Sequence, residues 1–163
     1  MDIDDLRRVL ARDLRTLAAE LAAYPDDASA WACPAGVPNS AGTLALHLAG
    51  NLRHFIGARL GGSGYVRDRD AEFAARGLTR AELRERIDAA AREVESALAG
   101  LDPRRMEQEF PDAVGGVRLS TGRFLLHLVA HTGYHLGQID YHRRLVTGDP
   151  RGVGAVAVAA LVD

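Results

Sequence analysis

The chain has 163 residues, 47% of them hydrophobic, which suits one globular domain over 1–163 with a sizeable core. A formal charge of -2 and a pI near 6.3 supply no electrostatic attraction to nucleic acid or anionic membrane. All 20 basic residues are arginine, which excludes lysine Schiff-base and phosphate-loop-lysine chemistry, and the single cysteine, Cys33, excludes an internal disulfide.

From Ile3 onward, Ile3, Leu6, Val9, Leu10, Leu14, Leu17, Leu21 and Tyr24 keep the three-and-four spacing of an amphipathic helix over about 2–24, capped by Asp2. Pro25 and two further prolines make the stretch to Asn39 a loop, with Trp31 and Cys33 expected to tuck it onto the core. A second helix is predicted over about 42–60, capped by Ser40 or Thr43 and stopped by Gly61 and Gly62. The connection to Leu78 is long enough to run back along a bundle. Within it RDRDAEFAAR suits a short helix, its charges reading as solvated surface. Thr79 and Glu82 form a capping box for a third helix over about 79–99, whose inward residues are Leu83, Ile87, Ala90, Val94, Ala97 and Leu98. Pro111 and the Gly115-Gly116 pair make the next connection a loop or small hairpin.

Ser120 or Thr121 then caps a fourth helix over about 120–147, closed by Gly148 and Pro150. Phe124, Leu125, Leu128, Val129, Leu136, Ile139 and Leu145 are its apolar members. The tail GVGAVAVAALV is small and apolar without a clear period. Four long amphipathic segments and no strand pattern predict an all-α four-helix bundle. No signal peptide or membrane span is visible, so a cytoplasmic protein is expected.

Four of the six histidines lie in the fourth helix. His127, His131 and His135 recur every four residues, a stripe about 80° wide. His47 and His54 lie seven apart on one face of the second helix. Neutral imidazoles at i and i+4 can share one ion, but spacing alone leaves both 127 with 131 and 131 with 135 open. A third imidazole from another helix, with His47 as the candidate, would leave a position for water or substrate, as in catalytic zinc sites. His54 and His142 read more simply as hydrogen-bonded core or boundary residues. Gly133 and Gly137 weaken the helix interior and imply either close packing or access to a ligand. HTGYH lacks the glutamate of HExxH proteases, and GGSGY lacks the second glycine of a nucleophile elbow.

HLVAHTGYHLGQI, preceded by LALHLAGNLRHF, resembles the DinB/YfiT-like superfamily of metalloenzymes, in particular a group of its uncharacterised members. The resemblance covers nearly the whole chain and implies a four-helix bundle in up-down-down-up order. It places the metal ligands on His47, His131 and His135, with Gln138 the motif's glutamine. Tyr134 stands where many members have a further histidine, and Leu136 where many have an arginine. The cofactor implied is a divalent metal ion, zinc or nickel first. The activity implied is thiol-dependent S-transfer on a small molecule, with mycothiol, bacillithiol or glutathione as the thiol. A metal-dependent hydrolase and a non-catalytic metal- or ligand-binding bundle are the alternatives. Asn51 and Gln138 are the expected acceptors behind the ligands. A homodimer is expected, since the tail from Val153 to Val162 would otherwise leave apolar surface exposed.

Overall fold

Helix starts follow from local chemistry. The computed structural model describes residues 2–162, and within them run α1 (Ile3–Ala22), α2 (Ala41–Leu52), α3 (Arg69–Ala74), α4 (Arg80–Ala99) and α5 (Thr121–Thr147). Asp2, Ser40, Asp68, Thr79 and Ser120 precede them in extended conformation, each side chain accepting a backbone N–H from the first turn. Asp5 and Glu82 reach back to close capping boxes on α1 and α4. Gly148, at φ 70°, takes the left-handed conformation that ends α5.

The second helix departs from the single α-helix predicted to residue 60. It ends at Leu52 and continues as a π-helical stretch, Arg53–Ala58, in which the Arg59 N–H donates to His54 O at 3.0 Å. Glycines let this stretch approach α4. A Cβ on Gly57 would lie 2.4 Å from Glu93 Oε2, and one on Gly61 2.6 Å from Ala97 Cβ.

Side-chain pairs set the helix directions. Arg7 meets Glu95 at 2.5 Å while Arg80 meets Asp27 at 2.9 Å, so α1 and α4 are antiparallel. His47 faces His131, and Phe55 faces Phe124, so α2 with its extension runs antiparallel to α5. Glu20 pairs with Arg143, and Arg12 and Asp13 border the same cavity as Leu136, so α1 and α5 are parallel. Each of α1 and α2 packs on both α4 and α5. The core between them is apolar, with Leu10, Leu14, Leu17, Leu48, Leu52, Ile56, Leu83, Leu125 and Ile139 buried. Removing each such side chain from water contributes about 1.5–3 kcal/mol.

The connections mostly match their expected character. Gly115 and Gly116, at φ 58° and 78°, form a tight turn between Val114 and Val117, whose backbones exchange hydrogen bonds at 2.9 and 3.1 Å. Trp31 pins the first loop by donating Nε1–H to Leu78 O at 2.7 Å. Cys33 does not join it in the core. The chain turns extended at Ala32 ahead of Pro34, and the thiol is left exposed. Leu145, one of the apolar residues of the fourth helix, is 62% exposed: in the same turn His142 and Arg143 are buried, while Leu145 lines an apolar cavity with Val37, Pro38 and Leu44. No helix among the described residues is long and apolar enough to cross a membrane.

Candidate metal centre

The antiparallel pairing of α2 and α5 brings one histidine of α2 against two of α5. His47 Nε2 lies 3.3 Å from His131 Nε2, and the His135 ring centroid is 5.2 Å from that of His47 and 4.6 Å from that of His131. Each ring offers a nitrogen within 4.8 Å of the other two. His131 pairs with His135, while His127 is exposed, lies flat against Phe124 at 5.9 Å, and stays outside the cluster.

The remaining histidines do other things. His142 is buried, its Nδ1 2.6 Å from the Tyr24 hydroxyl and its Nε2 2.8 Å from Ala32 O. The carbonyl can only accept, so Nε2 carries the proton and Nδ1 accepts from Tyr24. His54 lies beside Asp112, 3.9 Å away, in the first turn of α2's extension and outside the cluster.

Burial, with the neighbouring His135, His47 and His127 rings, drives the His131 pKa down to about 4. Burial likewise lowers that of His135, opposed by the hydrogen bond it donates to Gln138. Both rings are neutral at pH 7 and keep a lone pair for a ligand bond. Gln138 Oε1 accepts from His135 Nδ1 at 2.7 Å, which leaves Nε2 as the free donor atom and gives Gln138 the orienting role expected of it. Asn51 does not share that role. Its Oδ1 is buried without a hydrogen bond, as is Nδ1 of His131.

What backs His47 comes from the long connection. Arg67 Nη2 stands 3.1 Å and Glu72 Oε2 3.4 Å from His47 Nδ1, and the two side chains are themselves paired at 2.7 Å. The run that contains Arg67 therefore is not all solvated surface, as its charges suggested, because its first arginine is drawn inward by a buried carboxylate. Charge composition could not reveal this. The local signal available was Asp68, whose cap starts the short helix carrying Glu72.

The three rings fit a divalent ion. Two ligands at about 2.0–2.1 Å from a tetrahedral centre stand about 3.3 Å apart, the separation found between Nε2 of His47 and Nε2 of His131. An all-imidazole set suits zinc, nickel, copper or iron. Among the described residues no cysteine or carboxylate joins the cluster, so a position is left open. Gly133 and Gly137 take no part. A Cβ on either would meet nothing within 4 Å, so they serve neither close packing nor the cluster, and they border a cavity facing α1 and the tail. Gln138 also borders an apolar cavity of about 340 Å³ walled by Val37, Pro38, Leu44, Tyr141 and Leu145.

A family model described as the DinB superfamily matches residues 4–139. Comparisons with curated proteins and with solved structures returned no match. The matched span runs from the first turn of α1 past Gln138 and takes in all three clustered histidines, and the chain belongs to the DinB superfamily.

Proposed function

We propose that His47, His131 and His135 hold one divalent cation, zinc or nickel, and that the chain is a metal-dependent enzyme of thiol-dependent S-transferase type. The observation that carries this reading is a cluster of three imidazoles, two of them held neutral by burial, with no fourth protein ligand among the described residues. An ion on three neutral ligands keeps its full +2 charge and lowers the pKa of a bound thiol or water toward neutrality. The three rings bring a nitrogen each within 4.8 Å of one another, Gln138 fixes the His135 ring, and the apolar cavity beside Gln138 suits the body of a small substrate.

Thiol transfer, and not hydrolysis, is favoured by the position of Glu72. The buried carboxylate nearest the cluster sits behind His47 and is paired with Arg67, so it does not face the open position as a general base would. The apolar tail, with Val156, Val158 and Val162 exposed, supports a homodimer as the functional form.

The test starts from metal content after purification without an affinity tag. Wild type and His127→Ala should carry about one ion per chain, and His131→Ala should lose it. Loss in His127→Ala with retention in His131→Ala would shift the site, and retention in both would remove it. Turnover of an activated electrophile with mycothiol, bacillithiol or glutathione, dependent on that metal, then separates a transferase from a hydrolase, which turns over without thiol.

A further inference from the structure

We propose that Glu72 is the positioning residue of this centre: its carboxylate holds the Nδ1–H of His47 so that Nε2 points at the ion, and Gly50 leaves the space that admits it. The inference rests on the metal reading above. Helix α3 has six residues, too few to be stable alone, and the one residue it buries is a glutamate. Burying a carboxylate is costly unless it is paired. Glu72 meets that condition through two hydrogen bonds from Arg67, Nε to Oε1 at 2.8 Å and Nη2 to Oε2 at 2.7 Å, and through its approach to His47. The next residue, Phe73, packs its ring 5.1 Å from the same imidazole, so α3 is built around His47.

Gly50 supplies a second, independent observation. It lies in α2 three residues after His47, where glycine weakens the helix, and a Cβ there would sit 1.9 Å from Glu72 Oε1 and 2.7 Å from its Cδ. Alanine at this position and Glu72 in its present place cannot coexist.

Arg67 and Glu72 ask for opposite tautomers of His47. A guanidinium only donates, so the 3.1 Å approach of Arg67 fits an Nδ1 lone pair, whereas a carboxylate only accepts and fits Nδ1–H. A metal on Nε2 requires the second. With a metal on Nε2, Arg67 would stay on Glu72 and move off Nδ1, and the His47 Nδ1–H would donate to the carboxylate, the orientation common to histidine–metal sites.

The experiment measures zinc affinity by chelator competition, and the visible spectrum of the cobalt-loaded protein, for wild type, Glu72→Ala, Glu72→Gln, Gly50→Ala and Gly133→Ala. Glu72→Ala and Gly50→Ala should weaken zinc about 10- to 100-fold, with Glu72→Gln between them and wild type because its amide oxygen still accepts. The cobalt bands should shift in Glu72→Gln, while Gly133→Ala, whose added methyl meets open space, should match wild type. If Glu72→Ala fails to fold, Glu72→Gln and Gly50→Ala decide the matter. Wild-type affinity and spectrum in both would overturn the role of Glu72 while leaving the metal site standing. A wild type that binds no zinc, nickel or cobalt would remove the metal reading itself, and this inference with it.

Discussion

Acid should destabilise the metal-free protein through His131. Its pKa in the folded chain is about 4 against an ordinary 6.5, with burial the largest cause and the neighbouring imidazoles next. Because the folded value is the lower one, the unfolded chain takes up a proton between the two pH values that the folded chain refuses. The contribution is present above about pH 6.5 and is lost as the pH falls toward 4. A gap of about 2.5 units at 1.36 kcal/mol each sets a ceiling of about 3 kcal/mol, and solvent reaching this half-buried ring lowers the expectation to about 2 kcal/mol. The assay is urea unfolding of metal-free wild type and His131→Gln at several pH values from 7 to 4. Glutamine does not titrate, so wild type should lose about 2 kcal/mol more than the variant over that range. Parallel stability curves would refute the assignment. With an ion bound, protons compete for the same lone pair in the folded chain, so the metal should leave as the pH approaches the folded value of about 4.

Other perturbations separate the cluster from its scaffold. Glu20→Ala removes the 2.5 Å acceptor of Arg143 Nε–H and leaves this buried guanidinium with Asp140 and the Arg151 carbonyl, so unfolding free energy should fall by about 1.5–3 kcal/mol; replacing both residues with apolar ones should recover much of that. Tyr24→Phe leaves the buried His142 Nδ1 without its donor and should cost about 1–3 kcal/mol with metal content unchanged; metal loss would place His142 in the site. Gly133→Ala should raise the melting temperature, since helix propensity favours alanine by about 1 kcal/mol and the added methyl meets nothing. Light scattering at micromolar concentration should give the mass of a dimer, and a monomeric mass would leave the exposed tail without that explanation.

Elements whose signals are local were legible in the chain itself. Asp2, Ser40, Thr79 and Ser120 sit where a side-chain oxygen can take the first free N–H groups, and the inward residues predicted for the third helix are those α4 buries. Periodicity put His127, His131 and His135 on one stripe, and the resemblance, not the spacing, supplied the partner on α2. Features that depend on which surfaces meet were not legible. Glu20 and Arg143 look like ordinary polar positions, and only the parallel packing of α1 on α5 closes them into a buried pair. Asn51, one turn from His47, was the natural acceptor by sequence distance, yet the carboxylate that stands beside His47 is Glu72, which returns on α3 after the long connection. Sequence by itself determined where helices begin, which face of each is apolar and which histidines share a face, because those properties need only neighbours within four residues. The tertiary structure decided which two of the three α5 histidines meet His47 and what stands behind each ring, because those contacts join residues 84 positions apart and depend on helix register.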